Sequence, residues 1–476
     1  MTAPVGGGGS TRLGTVSKLR AVSAGEKTCI IGAGSSGIVA AQVLDARGLP
    51  FDCFEKGSQV GGNWRYENDN GMSSAYRSLH INTSRRVMAY STLPMPDHYP
   101  DYPDHFQMAA YFDEFVDHFG LREKIAFRTE VLKVEPVDGA WEVTVAGPDG
   151  ERRTERYRAV MVANGHHWDP RWPEPPFPGS DAFEGEQIHA HHYREPDVLE
   201  GKRVLVVGIG NSATDIAVES SRIAARTLIS MRRGAYVIPK YINGKPIDEI
   251  VHPLASLLPL SVQRFFAARA LGIAAGRVSA YGLPEPDHKL FEAHPTVSSE
   301  LLPRIGHGDI VPKPNIDRFT GGRKVRFADG TEEEVDLVVY CTGYKITFPF
   351  FDPEVFSAPD NRMPLYRRVV SVERPGLYFI GFIQPLGPIM PLAELQCEWV
   401  ADLLGGQAAL PSPRRMRREI EREERRMRRR FVASKRHTVE VDFHPYKRQL
   451  KRERKSGRAR VAARARSGRA PAAQPA

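Results

Sequence analysis

Cysteine is scarce: 476 residues hold four, Cys29, Cys53, Cys341 and Cys397, far apart and with no C-x-x-C pair. That spacing excludes a redox-active dithiol and a thiolate zinc site. Cys29 and Cys341 stand inside apolar, strand-like runs, so burial is expected of both. Long hydrophobic runs are missing as well. A membrane helix needs about 18 consecutive apolar residues; the nearest approach, HPLASLLPLSVQRFFAARALGIAAG from residue 252, is broken by Pro253, Pro259, Arg264 and Arg269. No transmembrane span is predicted. The amino terminus, MTAPVGGGGSTRLG, lacks the apolar core of a secretory signal, so residues 1–26 read as a flexible leader and the chain as cytoplasmic. What is present, 41% hydrophobic residues over a length that suggests about three domains, describes a globular protein.

The net charge of +9 hides two unequal regions. Residues 412–476 carry 23 Lys or Arg against 7 Asp or Glu, and everything before them is net acidic. In SPRRMRREIEREERRMRRRF, Glu421 and Arg425, and Glu424 and Arg428, stand four apart, while Met416, Ile420, Met427 and Phe431 repeat at four and seven. These spacings predict a solvated helix docked along a narrow apolar seam over 412–450, followed by a disordered basic tail over 451–476. No aromatic residues interleave with the Arg/Ala tail to stack on bases, so no nucleic-acid partner is expected.

The strongest organising signal is an internal repeat. KTCIIGAGSSG (27–37) is an apolar strand running into Gly32-x-Gly34-x-x-Gly37 and then a helix-like segment; RVLVVGIGNSATDIAVESS repeats it with Gly208-x-Gly210-x-x-Ala213. Each copy closes on an apolar run ending in glycine, AVMVANG at Gly165 and LVVYCTG at Gly343. In such a turn the first glycine permits the tight bend, the second lets the backbone approach a pyrophosphate, and the helix N-terminus presents free N–H groups. The copies differ at the ribose. FDCFEKG places Glu55 where a carboxylate accepts both hydroxyls of an adenosine ribose, whereas TLISMRRG offers Arg232 and Arg233, which pair with a 2′-phosphate that a carboxylate would repel. The natural pairing is FAD in the first copy and NADPH in the second. The fold class expected is α/β with two Rossmann-like dinucleotide-binding domains, the first over 27–170 and 346–411, the second over 171–345 with an insert at about 242–296. That insert stands for part of an access route, a homodimer contact or plain packing, alternatives the sequence leaves open.

FEGEQIHAHHYR (183–194) puts His189, His191 and His192 within four positions, which raises a metal site as a question. The stretch also resembles the fingerprint F-x-G-x-x-x-H-x-x-x-[YF]-[KR] of flavin-containing monooxygenases, matched by Phe183, Gly185, His189, Tyr193 and Arg194. EKGSQVGGNWRY (55–66), LHINTSRRVMAYSTLPMPDHYPDYP (79–103), CTGY (341–344) and FIGFIQPLGPIMPLAELQ (379–396) are similar to further segments of that family. Only His189 falls on a fingerprint position, and no acidic or thiolate set accompanies the three histidines, so no metal is expected.

The resemblance implies a mechanism. NADPH reduces FAD, dioxygen adds to the reduced ring as a hydroperoxide, and a small-molecule substrate with a soft nitrogen or sulfur takes the distal oxygen. This agrees with the lack of any supported serine, cysteine or paired-carboxylate machinery, which leaves the difficult chemistry to a cofactor. It also implies site residues. Asn82 matches the family asparagine beside the reactive flavin edge and is the catalytic candidate. Gly32, Gly34, Ser36, Gly37, Glu55, Lys56, Gly62, Trp64, His80, Thr83 and Gln384 fall to the flavin site. Gly208, Gly210, Asn211, Ser212, Ala213, Arg232, Arg233, Thr342 and Gly343 fall to NADPH. Two competing readings stay on the page: a Baeyer–Villiger oxygenase acting on ketones, whose related fingerprint ends W-[PD] where this chain has Tyr193-Arg194, and a non-catalytic NADPH-binding sensor.

Overall fold

Thr28–Ile31 (β1) has four side chains buried out of four, the pattern of a strand covered on both faces of a parallel sheet. The computed structural model, which describes residues 26–250, 257–431 and 437–467, builds two such sheets. In the first, β1 turns through Gly32-x-Gly34 into Ser35–Ala46 (α1) and returns as Phe51–Phe54 (β2). Arg85–Met88 (α2), His105–His118 (α3), Ile125–Ala126 (β3) and, after an antiparallel meander, Ala159–Val162 (β4) follow. The second sheet draws on Glu186–His189 (β5), Arg203–Val207 (β6) with Asn211–Ile223 (α4) behind it, and Arg226–Ser230 (β7). The insert then supplies Ile247–Ile250 (α5) and Leu260–Ala274 (α6) before Ile310–Lys313 (β8) and Leu337–Tyr340 (β9). Its strand order is β8-β7-β6-β9-β5, all parallel.

Only after that sheet is complete does Leu377–Phe379 (β10) enter the first one, giving β10-β4-β1-β2-β3, again all parallel. The first unit is therefore discontinuous in sequence. Gln384–Leu386 (β11), Met390–Leu404 (α7), Pro413–Arg430 (α8), Glu440–Asp442 (β12) and Phe443–Arg466 (α9) complete the chain. Helix α1 buries eight residues from Gly37 to Leu44 because β1 and β2 lie against one side and α7 against the other. At roughly 1.5–3 kcal/mol for each large apolar side chain buried, this sandwich is what holds the first turn in place.

Helix α8 docks through Met416 and Phe431, both buried, and carries the expected Glu421–Arg425 and Glu424–Arg428 pairs. Residues 451–466, expected as disordered tail, are instead the second half of α9. The reason is a buried anion. Asp402 on α7 is fully buried and accepts hydrogen bonds from Arg47, Arg454 and Arg458, and Gly457 lets α9 pack against Ala408. The arginines that looked like a solvated tail are the partners of that carboxylate. Residues 1–25 of the expected leader and 468–476 lie outside the described residues.

Cys341 also departs from expectation: it falls one residue past β9 and is only half-buried, whereas Cys29 on β1 is fully buried. Helix α6, the apolar part of the insert, buries none of its residues, and Phe265, Phe266 and Ile273 are 58–86% exposed. No helix among the described residues is long and apolar enough to cross a membrane.

Candidate active site

The two glycine turns superpose in their physics. Gly32 (φ +95°) and Gly208 (φ +131°) adopt backbone that side chains avoid, and a Cβ on either would strike the end of its closing strand, Ala163 O at 2.9 Å and Cys341 O at 2.8 Å. The closing runs seen in the sequence thus abut the opening turns. Gly37 is the tightest position: a Cβ there would sit 1.8 Å from Gly32 O, while the second copy accommodates Ala213. Gly34 faces Gly62, whose own Cβ would come within 3.0 Å of Gly34 Cα, and Gly61 N–H donates to Ala33 O. The Gly62–Trp64 turn therefore lies against the first phosphate turn, glycine backbone to glycine backbone. Backbone bare of side chains on both turns is what close approach of a diphosphate requires.

At the end of β2, Glu55 is buried and its carboxylate accepts Ala33 N–H at 2.7 Å, Gly57 N–H at 2.8 Å and Asn70 Nδ2–H at 3.1 Å. It is held rigidly beside the turn with lone pairs left over. Lys56 is not brought in; its ammonium pairs with Glu130 at the surface. At the end of β7, Arg232 and Arg233 are exposed. Arg233 pairs with Asp287 at 3.5 Å, whereas Arg232 has no carboxylate partner among the described residues. Asn211 Oδ1 accepts Val297 N–H, and Ala213 is buried under the turn. Thr342 Oγ1 donates to Arg171 O and Gly343 O accepts Arg171 N–H, so both residues tie the closing turn to the entry segment.

Between the cradles runs the segment 76–90. Tyr76 OH donates to Asp215 Oδ2 at 2.5 Å, in the first turns of α4, and Tyr90 OH donates to Ser35 O at the start of α1. Asn82 lies midway. Its loop is braced by the 101–105 strap, through Ile81 N–H to Pro103 O, Arg85 N–H to Asp101 O and His105 N–H to Leu79 O. The strap is fixed in turn by a capping box, Asp104 with Gln107, at the start of α3. Asn82 is half-buried, and its amide has no hydrogen-bond partner among the described residues. Thr83 is buried beside it; His80 is exposed and its Nδ1–H donates to Ser78 O at 2.8 Å. Gln384 is half-buried on β11, whose register pairs it with Glu440 of β12.

The fingerprint residues turn out to be a clamp. Gly185 has no room for a Cβ, which would meet the Phe183 ring at 2.5 Å and Asp336 O at 2.8 Å. Tyr193 OH donates to Glu219 at 2.5 Å, and Ser78 donates to the same oxygen. Arg194 donates to His191 O at 2.6 Å and Ser73 O at 2.7 Å, and Arg77 N–H donates to Arg194 O. Second-unit residues thereby hold the segment that leads to Asn82. The histidines serve the same joint. His189 Nδ1 accepts His191 N–H, both rings pack edge-on against Tyr344, and burial depresses the pKa of each to about 4. Asp215 moves the other way, raised to about 6 by burial, which outweighs the Tyr76 hydrogen bond.

Sequence reasoning missed Tyr76, Asp215 and Glu219. Asp215 and Glu219 stand four apart on α4, a spacing that puts both on one face, but nothing local says the face meets another domain. Also missed was the support of Ser36. Gly381 lies so close that a Cβ would reach Ser36 Oγ at 2.1 Å, and Gly381 N–H is bonded to Gln396, which donates to Tyr446 on α9.

Two glycine-turn units, joined through the braced segment that carries Asn82, are the architecture of a coenzyme-dependent oxidoreductase. The flavin-binding monooxygenase-like family model matches residues 25–455, and the chain belongs to that family. It is 36% identical over 436 residues to rabbit (Oryctolagus cuniculus) flavin-containing monooxygenase 5, covering 88% of this chain and 81% of the relative. It is 36% identical over 419 residues to mouse (Mus musculus) dimethylaniline monooxygenase [N-oxide-forming] 2, covering 84% and 78%. Among solved structures, S-allyl-L-cysteine S-oxygenase from Allium sativum is similar with a TM-score of 0.68 and 26% identity over 94% of both chains. The OTEMO complex with FAD and NADP, at 16% identity, shares the fold with a TM-score of 0.69 over 91% of this chain and 98% of that one. The protein is a flavin-dependent monooxygenase.

Proposed function

We propose that the chain inserts one atom of dioxygen into a nitrogen or sulfur of a small molecule, a thioether, dioxygen, NADPH and a proton giving sulfoxide, NADP⁺ and water. FAD belongs in the first cradle (27–170 with 346–411) and NADPH in the second (171–345). Glu55 takes the flavin's ribose hydroxyls, the Gly32-to-Gly37 turn and Gly62 its diphosphate, and Arg232 the 2′-phosphate of NADPH. The bound flavin accepts hydride from NADPH and activates dioxygen. The chain's own part is to orient the two coenzymes, exclude water and donate a hydrogen bond from Asn82. The observation that carries this reading is the placement of Asn82, its amide free, on a segment bonded at one end to α4 and at the other to α1. A site that needs NADPH, in a chain whose four thiols are all free, suits the cytoplasm.

The test is a turnover screen under ¹⁸O₂ with a thioether, dimethylaniline and cyclohexanone, product masses being read. Sulfoxide or N-oxide carrying one ¹⁸O is expected, and a ring-expanded ester alone would transfer the site to ketone chemistry. Asn82→Ala should retain the flavin absorbance and continue to oxidise NADPH, with product formation falling at least ~100-fold, the usual cost of one preorganised donor. Undiminished product would remove Asn82 from the chemistry.

A further inference from the structure

Asp215 stands on α4 about 6 Å along the axis from Asn211, the residue that opens the helix at the second glycine turn. Its carboxylate accepts the Tyr76 hydroxyl at 2.5 Å, a short bond and a charge-assisted one above the raised pKa of about 6. One helical turn further, on the same face, Glu219 accepts Ser78 and Tyr193. The Ser78 contact is exposed at 3.1 Å, which leaves Tyr76–Asp215 as the firmer hold on the segment. From Tyr76 to Asn82 the chain has little slack. Leu79 N–H closes a turn on Tyr76 O, and Arg77 N–H donates to Arg194 O. His105 grips the segment twice, its backbone N–H on Leu79 O and its Nε2–H on Arg77 O at 3.1 Å. Ile81 N–H, one residue before Asn82, donates to Pro103 O. Tyr76 is 4% exposed, with its ring against Tyr193 at 5.8 Å, so the anchored end does not swing. A shift of the Tyr76 hydroxyl is therefore passed on to the Asn82 amide. Misplacing a reacting group by 1 Å can cost about 100-fold in rate, so whatever fixes this segment bears on the chemistry.

We propose that Asp215 is a positioning residue for the oxygenation: through the Tyr76 hydroxyl it holds the Asn82 amide in register with the turn that begins α4. The proposal rests on the oxygenase reading of Asn82. It differs from a plain joint between the two units in what is lost when the bond is cut. A joint loses stability alone. A positioning bond loses product formed per NADPH consumed, and loses it only while the asparagine is present.

Tyr76→Phe keeps the packed ring and removes one hydroxyl. At pH 8, with a thioether as substrate, the variant should retain the flavin absorbance and the wild-type calorimetric affinity for NADP⁺. Its sulfoxide yield per NADPH should fall ~10-fold, the scale of one hydrogen bond to a charged group. Asp215→Asn, which keeps an acceptor for the hydroxyl, should stay within ~3-fold of the wild-type yield. Added to Asn82→Ala, Tyr76→Phe should lower the yield no further, because both changes then act on the same amide. Hydrogen exchange on protein loaded with FAD and NADP⁺ gives a readout that needs no turnover. Residues 79–85 should exchange at least ~10-fold faster in Tyr76→Phe. An undiminished yield in Tyr76→Phe overturns the proposal. So does a second ~10-fold loss in the Asn82→Ala background, which would make the bond a support independent of the amide, and so does unchanged exchange over 79–85. Faster exchange combined with a full yield in Asn82→Ala would leave Asp215 positioning the segment and remove the oxygenase role from the asparagine.

Discussion

At the first cradle the ribose end is one buried carboxylate, Glu55, fastened by three donors; at the second it is two exposed guanidiniums, Arg232 and Arg233, the former without a carboxylate partner among the described residues. The backbones beneath are near copies, each with a left-handed first glycine pressed against the carbonyl that ends its closing strand. Turn geometry is thus set by the shared need to bring backbone close to a diphosphate, and coenzyme choice is left to a few side chains at the strand end. The cradles also differ in rigidity. In the first, α1 is packed between its sheet and α7, with α9 against α7, while in the insert of the second unit helix α6 buries nothing.

The largest test of that contrast exchanges the third glycine position. Gly37→Ala drives a Cβ into Gly32 O, a backbone atom with nowhere to move, and should cost more than ~3 kcal/mol and abolish flavin retention. The reciprocal Ala213→Gly should cost only about 1 kcal/mol, the helix propensity difference. Thermal melts and the flavin absorbance of the purified proteins decide; equal effects would mean that the two turns are packed alike.

Acid is the next probe, because the depressed histidines gather at the joint between the units. His189 and His191 have folded pKa values of about 4, below the ordinary value near 6.5. Their contribution is present above pH 6.5 and is lost as pH falls toward 4, since the unfolded chain then binds protons that the folded one refuses. Asp215, raised to about 6, opposes this: its contribution is present below about 3.8 and is lost as pH rises through 6. A net loss of about 3 kcal/mol between pH 6.5 and 4 is expected, and Asp215→Asn should steepen it by ~2 kcal/mol. A melting temperature that is flat over that range would show the imidazoles to be solvated.

Much of this contrast could be read from the chain. The repeat, the glycine spacing and the charge reversal at the ribose are local patterns, and the central parallel strands β1, β4 and β9 bury every residue, so the apolar runs found the sheets. Asn82 and the fingerprint were found through the family resemblance. What stayed hidden depends on distant partners. Asp402 looked like any helix acid until three arginines from 47, 454 and 458 converged on it. Lys56 follows Glu55 in sequence yet its ammonium pairs with Glu130 at the surface, a partner 74 residues away.

The finer comparison lies within the second cradle. Arg232→Ala should lower the NADPH-over-NADH preference by ~10–30-fold, the worth of a charged hydrogen bond to the 2′-phosphate, and an unchanged preference would assign that phosphate elsewhere. Arg233 starts from a weaker position, since binding a phosphate means leaving Asp287 at 3.5 Å, a pair exposed on both sides. An exposed pair is worth well under 1 kcal/mol, so Arg233→Ala alone should change the preference only about 2-fold. Asp287→Asn then becomes the informative variant. Freed of its carboxylate, Arg233 should recover ~2–3-fold of the preference lost in Arg232→Ala, a gain readable in the double variant's kcat/KM for the two coenzymes. If the double variant is no better than Arg232→Ala, the ion pair is not what restrains Arg233, and the second strand-end arginine serves the surface rather than the coenzyme.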